Sequence, residues 1–222
     1  MTAAFVRARG VGKLLGGRWA VRDVDLTWAQ PGTLVVRGEN GAGKSTLLRV
    51  VAGILAADAG DVEIAGRSLA KERLLALHGL GYAPDVGELP AHLRVSELVA
   101  LVASLKRCAP PPAELVERLG VDALLGQRLG TLSLGQRRRA CVLVALVGDP
   151  PLIVLDEPTN GLDPAAVELL VALLHERRAR GRAALVASHD EGFVAAAADA
   201  VATMEGGRVR AERGGVVAST IT

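Results

Sequence analysis

The stretch Gly38-Glu-Asn-Gly-Ala-Gly-Lys-Ser-Thr46 decides the fold of this chain. Four residues separate its first glycine from a Gly-Lys-Ser triplet, which is the spacing of a phosphate-binding loop. The β-prone run Thr33–Arg37 precedes the loop, and residues 45–52 predict a helix after it. Strand, loop and helix in this order form half of a βαβ unit. The stretch therefore predicts an α/β protein with this loop at the start of a helix.

The residue types of this stretch indicate how it binds a polyphosphate. Glycines let successive backbone N–H groups turn inward, and the helix N-terminus adds partial positive charge. Lys44 is expected to bridge the β- and γ-phosphates, and the Ser45 hydroxyl is expected to bind Mg²⁺. A glycine-rich turn without a ligand is the alternative, but the flanking strand and helix argue against it. The candidate nucleotide-binding residues are Gly38, Glu39, Asn40, Gly41, Ala42, Gly43, Lys44, Ser45 and Thr46.

The composition excludes several classes of protein. A formal net charge of +2, from 26 basic and 24 acidic residues, gives no field that would indicate nucleic-acid binding. Cys108 and Cys141 are too few for a disulfide scaffold or a zinc module. Apolar runs are shorter than the roughly 20 residues of a membrane span, and Arg7, Arg9 and Lys13 interrupt any leader peptide. We expect a cytoplasmic chain that does not cross a membrane by itself.

Short apolar runs predict the remaining strands. Polar and apolar residues alternate over residues 21–28, which places Arg22, Val24, Leu26 and Trp28 on one face of a half-buried strand. Further strands are expected at residues 61–64, 80–83, 152–155 and 183–187.

Helical patterns replace strands from about residue 84 to residue 130. Ser96 is expected to cap a helix that ends near Leu105, and a second short helix is expected at residues 113–119. Another helix is expected to begin at Asp163-Pro164, because Asp favours the N-cap and Pro the first helical position. The expected apolar faces are Leu98, Leu101, Val102 and Leu105 in the first helix, and Val167, Leu170, Val171 and Leu174 in the last.

Two adjacent carboxylates, Asp156 and Glu157, follow the apolar strand at residues 152–155. Adjacent side chains at a strand end point apart, so the two groups can do different work. Asp156 is expected to order Mg²⁺, and Glu157 is expected to accept a proton from the attacking water. An acidic strand end is weak evidence alone, but it becomes strong beside the glycine-rich loop.

Together these motifs resemble the ATP-binding cassette (ABC) ATPase subunits over nearly the whole chain. Leu132-Ser133-Leu134-Gly135-Gln136 resembles the signature loop of that family. Ser133 and Gln136 are also the residues of a helix capping box, and the two interpretations are compatible. In the family this loop covers ATP held by another subunit, so the resemblance implies nucleotide contacts from Ser133, Gly135 and Gln136 across a head-to-tail dimer.

Two further segments follow in the family order. Gly161-Leu162-Asp163 resembles the loop that communicates across the dimer, and Asp163 is equally a helix cap. Ser188-His189-Asp190 resembles the segment whose histidine contacts the γ-phosphate. The resemblance therefore implies that Lys44, Glu157 and His189 are the catalytic residues.

The sequence departs from the family pattern at three positions. Asp85 stands where the family has a glutamine near Mg²⁺, and an ionised carboxylate can meet a metal but cannot donate a hydrogen bond. Leu15 stands where an aromatic residue stacks on adenine, and Trp19 is the nearest candidate to replace it. Leu134 stands where glycine is usual.

The resemblance also implies an architecture. It is a P-loop NTPase core of mostly parallel sheet, with an antiparallel β subdomain and an inserted α-helical subdomain. We expect one domain over residues 1–222, with the core and β subdomain at 1–84 and 131–212. The helical subdomain is expected at 85–130 and a loosely ordered tail at 213–222.

The implied activity is ATP hydrolysis with Mg²⁺ that drives transport, in the export direction. The implied partners are separate transmembrane permease subunits and a second copy of the chain or a paralogous ATPase subunit, with no nucleic acid. The chain would then be cytoplasmic and peripheral on the inner face of the cell membrane. Two alternatives stay open: a non-transport ABC protein, and a nucleotide-gated switch with little turnover.

Overall fold

The computed structural model describes residues 4–85 and 89–213, with side chains up to residue 210. Most of the expected tail, residues 214–222, lies outside the described residues. Within the described part of the chain, no helix is long and apolar enough to cross a bilayer. The strands are β1 Val6–Leu15, β2 Arg18–Trp28, β3 Gly32–Arg37, β4 Ala59–Ile64, β5 Arg67–Ser68, β6 Leu80–Ala83, β7 Leu152–Asp156, β8 Ala183–Ala187, β9 Ala200–Glu205 and β10 Arg208–Arg213. The helices are α1 Lys44–Val51, α2 Arg73–His78, α3 Val95–Leu105, α4 Ala113–Arg118, α5 Leu134–Ala145, α6 Pro164–Ala179 and α7 Glu191–Ala197, with 3₁₀ turns at Asp122–Leu124 and Leu129–Thr131.

A six-stranded sheet in the order β10-β9-β3-β8-β7-β6 forms the centre of the fold. Its neighbours from β9 to β6 pair in parallel, and β10 is antiparallel to β9. Leu34 and Val36 of β3 face α1 and the smaller sheet, whereas Val35 faces the helices on the other side. Both faces of the sheet are therefore covered, which explains why β7 and β8 are continuous apolar runs. This arrangement confirms the predicted α/β class.

A second, antiparallel sheet has the order β2-β1-β4-β5 and packs with α1 in one apolar core. The alternation predicted over residues 21–28 is correct from Val24 to Trp28 but wrong before it, because Arg22 is exposed and Val21 is buried. Val21 and Val24 are both buried, because Asp23 between them adopts φ 49° and the pairing with β1 shifts register at Val11. The bulge adds a residue to one strand, so Val21 and Val24 both return to the core side.

The segment between β6 and α5 is helical, as expected, but its first helix is phased differently. Arg94, not Ser96, is the N-cap, and its backbone N–H donates to Glu97 at 2.8 Å. Leu98, Val99 and Ala103 are buried, whereas Leu101 and Leu105 are 48% and 68% exposed. Apolar residues occupy more than one face of this helix, and packing against α5 selects the face that is buried.

Polar contacts help to join the helical segment to the parallel sheet and its helices. Arg118 of α4 makes a two-pronged ion pair with Glu176 of α6, at 3.0 and 2.7 Å. The Lys106 ammonium donates to the Val147 carbonyl at 3.0 Å. The helical segment is therefore held by polar contacts as well as by its apolar core.

Candidate functional site

The loops that follow four parallel strands meet at one edge of the central sheet. β3 leads into Gly38, β6 into Asp85, β7 ends at Asp156, and β8 leads into His189. Ligands of open α/β sheets bind at the carboxyl ends of strands, because helix N-termini and loops converge there. The topology therefore brings most of the predicted site residues to one place.

The glycine-rich loop passes so close to other backbone that only glycine fits at two positions. A Cβ on Gly38 would lie 2.2 Å from the Met204 carbonyl oxygen, and one on Gly43 would lie 2.1 Å from that of Ala20. Gly43 also adopts φ 106° as the N-cap of α1. The Lys44 ammonium donates to the Gly38 and Glu39 carbonyls at 2.7 and 3.2 Å. The loop therefore folds around its own lysine at the helix N-terminus.

Ser45 and Asp156 fit a divalent cation. The Ser45 hydroxyl donates to Oδ1 of Asp156 at 3.0 Å, and Oδ2 of Asp156 is buried without a hydrogen-bond partner. Burial raises the pKa of Asp156, and the nearby Glu157 raises it further, while the Ser45 hydroxyl lowers it. A buried carboxylate with one unpaired oxygen beside a hydroxyl is a donor set that suits Mg²⁺.

Glu157 points away from Asp156 and into the space in front of the loop. Its backbone adopts φ 47°, and its N–H donates to the Ala187 carbonyl at 2.9 Å. Oε1 lies 3.8 Å from the Lys44 ammonium, and Oε2 lies 2.9 Å from Nδ1 of His189. The two adjacent carboxylates thus face different partners, as the sequence predicts for a strand end.

Two adjoining clefts open beside the loop. The phosphate cleft, of about 390 Å³, is lined by Ala20, Asn40, Gly41, Gly43, Lys44, Ser45, Thr46, Asp85, Glu157, Asn160 and His189. The base cleft, of about 560 Å³, is lined by Trp19, Ala20, Gly38, Glu39, Asn40, Gly41, Ala42, Thr203, Met204, Glu205, Gly206 and Gly207. Every candidate residue of the glycine-rich loop therefore faces one cleft or the other.

Trp19 lies at the base cleft, 46% exposed, with its ring against Gly12 of β1. Residues Thr203 to Gly207 also line the base cleft, and the sequence predictions do not name them as site residues. The pair Gly206-Gly207 is a hairpin-turn signal that could have located β9 and β10. Asn160, in the phosphate cleft, has no comparable signal.

Asp85 lines the phosphate cleft and forms an ion pair with Arg138 of α5. Its Oδ1 accepts a 2.9 Å hydrogen bond from that guanidinium, which is wholly buried. Arg138 is not among the predicted site residues, because an arginine in the second turn of a helix is ordinarily exposed to solvent.

The signature-like residues lie apart from both clefts in the described structure. Ser133 caps α5: its hydroxyl accepts from the Gln136 N–H at 3.2 Å, and its own N–H donates to the Gln136 side chain at 2.9 Å. The capping box is thereby confirmed. A Cβ on Gly135 would lie 2.4 Å from the Gly161 carbonyl, so this loop packs against the loop after β7. The structure does not bring these residues to the chain's own phosphate loop.

Comparisons with known proteins agree with this geometry. A family model described as ABC transporter matches residues 21–160. The Nod factor export ATP-binding protein I of Rhizobium sp. (strain N33) is 30% identical over 217 residues, 96% of this chain and 71% of that protein. The zinc import ATP-binding protein ZnuC of Halorhodospira halophila (strain DSM 244 / SL1) is 35% identical, covering 92% of this chain and 75% of that protein. A solved ADP conformation of an ATP-binding cassette of an ABC transporter has a TM-score of 0.76 at 26% identity, covering 96% of this chain and 92% of that chain.

The family match contains the phosphate loop, the Ser133 capping box and the Asp156-Glu157 pair. The likeness to the solved cassette extends over nearly the whole chain, and it confirms the predicted architecture. This chain belongs to the ABC transporter family, as an ATP-binding cassette ATPase subunit.

Proposed function

We propose that this subunit binds Mg-ATP in the two clefts and hydrolyses it there with Glu157 as the general base. The observation that carries the proposal is the convergence of Lys44, Ser45, Asp156, Glu157 and His189 on the phosphate cleft. The first four come from two segments far apart in sequence, and His189 comes from a third. Glycine-rich turns and acidic strand ends are common singly, but their meeting at one sheet edge supports a nucleotide site.

The loop residues Gly38 to Thr46 hold the phosphates through backbone N–H groups and the Lys44 ammonium. Ser45 and Asp156 hold Mg²⁺, which neutralises phosphate charge when it is bound. Trp19 contacts the adenine ring, since aromatic faces stack on bases in a sequence-tolerant way. Asp85 faces the same cleft and is the third candidate to contact the metal.

Glu157 accepts the proton of the attacking water, because its carboxylate is aimed at the cleft and held by two neighbours. His189 orients that carboxylate: with its proton on Nδ1, the imidazole donates a hydrogen bond to Oε2 of Glu157. The Lys44 ammonium lies 3.8 Å from Oε1 of the same carboxylate. The three groups form one network around the position of the γ-phosphate.

A second copy of the chain, or a paralogous subunit, completes the site. Ser133, Gly135 and Gln136 lie at the N-terminus of α5, where the helix dipole favours an anion. They do not line the chain's own clefts, which supports the proposal that they contact the ATP of a partner in a head-to-tail dimer.

The transmembrane partners are separate permease subunits, which hold this subunit at the cytoplasmic face of the membrane. We propose export, on the likeness to the Nod factor export protein over 96% of the chain. The chain is also similar to a zinc import protein, so the direction of transport is tested by transport assays with the native permease.

Glu157→Gln tests the proposed chemistry. It keeps the shape of the side chain but removes the base, so we expect ATP binding to persist while hydrolysis falls by about a hundredfold or more. The measurements are calorimetric titration with Mg-ATP and phosphate release. Glu168→Gln, on an exposed face of α6, is the matched control and should change neither.

Near-normal turnover of Glu157→Gln would remove the general-base role. A wild-type subunit that binds Mg-ATP but does not turn it over, alone or with its permease, would favour the nucleotide-gated switch instead.

A further inference from the structure

A third cleft lies at the edge of the central sheet opposite to the nucleotide clefts. This rear cleft, of about 360 Å³, lies between residues 108–112 after α3 and residues 148–149 before β7. β7 is five residues long, so roughly 16 Å of strand separates the rear cleft from the phosphate cleft. Among the described residues, its lining shares no member with the phosphate cleft or the base cleft. The proposed function does not use it.

The walls of the rear cleft are largely apolar. The helical segment contributes Leu115 and the prolines at 110–112, while the end of α5 and the middle of α6 contribute Leu146 and Leu173. A cleft of this size with apolar walls and a few charged groups is typical of sites for small molecules. The charged groups therefore decide which class of small molecule it would accept.

The carboxylate of Asp149, in the lining of the rear cleft, is shared by two guanidinium groups. Its Oδ1 accepts from Arg177 and its Oδ2 accepts from Arg182, each at 2.9 Å. Arg177 also donates to the Pro150 carbonyl at 2.7 Å, and its side chain is almost wholly buried. One negative charge therefore faces two positive charges.

The carboxylate of Glu176 is shared in the same way. It accepts two hydrogen bonds from Arg118, and Nη2 of Arg180 lies 3.9 Å from its Oε2. Lys106 adds a further cation, close enough to Arg177 for the two charges to interact. The five cations and two carboxylates of this group leave a surplus of three positive charges, which exceeds the formal charge of +2 of the whole chain.

Three helix C-termini offset part of this surplus. α3, α5 and α6 all end beside the rear cleft, at Leu105, Ala145 and Ala179. Each C-terminus carries about half a negative charge, so the three together offset about half of the surplus. The charge that remains suits a ligand with one negative charge better than it suits a polyphosphate.

The basic groups of the rear cleft also repel one another. Burial lowers the pKa of Lys106, and the positive charge of Arg177 lowers it as well. Burial likewise lowers the pKa of Arg177, and the charges of Arg182 and Arg180 act in the same direction against the opposing effect of Asp149. An anion in the cleft would relieve this repulsion.

We propose that the rear cleft binds a small organic monoanion, a carboxylate with an aliphatic or aromatic body. The apolar walls would cover the body, and Arg180, whose side chain is 67% exposed, would contact the carboxylate together with the surplus positive charge behind it. This site is separate from the nucleotide clefts and requires neither ATP nor Mg²⁺.

Octanoate is the probe for this site, with acetate and 1-octanol as matched controls. Octanoate has both the charge and the apolar body, whereas acetate lacks the body and 1-octanol lacks the charge. We expect calorimetric titration of the nucleotide-free subunit to give a Kd for octanoate of about 1 mM or below, because partial burial of its methylene groups is enough for that affinity. Acetate and 1-octanol should each bind at least about tenfold more weakly.

Three variants test the role of charge. Arg180→Glu replaces attraction by repulsion and should weaken octanoate by about tenfold or more. Arg180→Lys keeps the charge and should bind octanoate within about threefold of wild type. Arg67→Glu is the matched control, because Arg67 is also an exposed arginine paired with a glutamate, but it does not line the rear cleft. This control should leave the Kd unchanged.

The thiol of Cys108 lines the rear cleft and reports on its occupancy. It is partly exposed, whereas Cys141, the other cysteine of the chain, is buried, and burial raises its pKa to about 12. Because the thiolate is the reactive form, iodoacetamide should modify Cys108 selectively. Octanoate at about ten times its Kd should slow this reaction by up to about tenfold, as followed by intact-mass spectrometry, and acetate should not slow it.

Each of four results would overturn the proposal. They are a folded wild-type subunit that does not bind octanoate, equal affinity for octanoate and either control compound, an Arg180→Glu variant that binds octanoate as wild type does, and octanoate that binds without protecting Cys108. All of these measurements are made without nucleotide, so their outcome is independent of the proposed ATPase function.

Discussion

The Ser45 hydroxyl donates to Oδ1 of Asp156 at 3.0 Å, so a hydrogen bond joins the first turn of α1 to the end of β7. The second oxygen of that carboxylate is buried without a partner. The fold thus holds a carboxylate where burial opposes its ionisation and where a cation would relieve the cost. Stability and function are opposed at this position, and the conflict is measurable.

Asp156→Asn should stabilise the nucleotide-free subunit at neutral pH. Burial raises the folded-state pKa of Asp156 above its usual value of 3.8, so the stability tied to its protonated form is lost as pH rises through that raised pKa. Removing the charge should raise Tm at pH 7, by about 2–4 °C for each kcal/mol gained.

Calorimetric scans of Asp156→Asn with and without Mg-ATP measure both effects. The stabilisation by Mg-ATP that we expect in wild type should be absent in Asp156→Asn, and the exposed change Glu168→Gln should leave both scans unaltered. A lower Tm for Asp156→Asn in the absence of ligand would contradict the burial argument.

Mixing two inactive variants should restore hydrolysis. Lys44→Ala removes the ammonium of the phosphate loop, and Ser133→Arg blocks the loop at the start of α5. In a head-to-tail dimer, each mixed pair has one intact composite site, so an equal mixture should reach up to about a quarter of wild-type turnover. Phosphate release from each variant alone and from the mixture is the measurement.

Two controls accompany the mixing experiment. Ser133→Arg alone should bind Mg-ATP as wild type does, and both variants should keep wild-type circular dichroism. Folded variants that regain nothing when mixed would argue against shared sites.

Trp19→Ala should weaken the binding of ATP without weakening the contacts to its phosphates. Base stacking on an aromatic ring contributes about 1–3 kcal/mol, so a loss of about 1 kcal/mol makes Kd about fivefold larger. Inorganic triphosphate should bind equally well to wild type and variant, and Trp19→Phe should recover most of the ATP affinity. Equal losses for ATP and triphosphate in Trp19→Ala would instead indicate damage to the loop.

Arg118→Ala should remove a pH-dependent contribution to stability. The hydrogen bond from Arg118 lowers the pKa of Glu176 below its usual value of 4.5. The ion pair therefore contributes fully above pH 4.5, and its contribution is lost as pH falls through the lowered pKa. Both side chains are partly exposed, so we expect a loss of about 0.2–1 kcal/mol at pH 7.

Urea unfolding of wild type and Arg118→Ala across this pH range gives the difference directly. Arg180→Ala is the matched control, because its contact with Glu176 is longer, at 3.9 Å. A difference between wild type and Arg118→Ala that persists unchanged below pH 4 would contradict the ion-pair explanation.

Several elements could not be predicted from local patterns. The sequence predictions do not include β1, β9 or β10: Gly10 and Gly12 interrupt the alternation in β1, and four of the six residues of β10 are charged. The helix α3 was found, but its exposed Leu101 and Leu105 were placed inside. For β1, β9 and α3 the deciding interaction is with a segment distant in sequence: β1 pairs with β4, β9 pairs with β3, and α3 packs on α5. Roles assigned to Asp85 and Trp19 from resemblance stay predictions.

The sequence by itself determined the phosphate loop and the capped start of α5, because each is a short continuous segment whose residue types and spacing are diagnostic. Gly43 at φ 106° and the Ser133–Gln136 capping box need no distant partner to be recognised. Only the tertiary structure decided that His189 meets Glu157 and that Arg138 meets Asp85. Those pairs form between residues far apart in the chain, and parallel pairing of β6, β7 and β8 brings them to one edge.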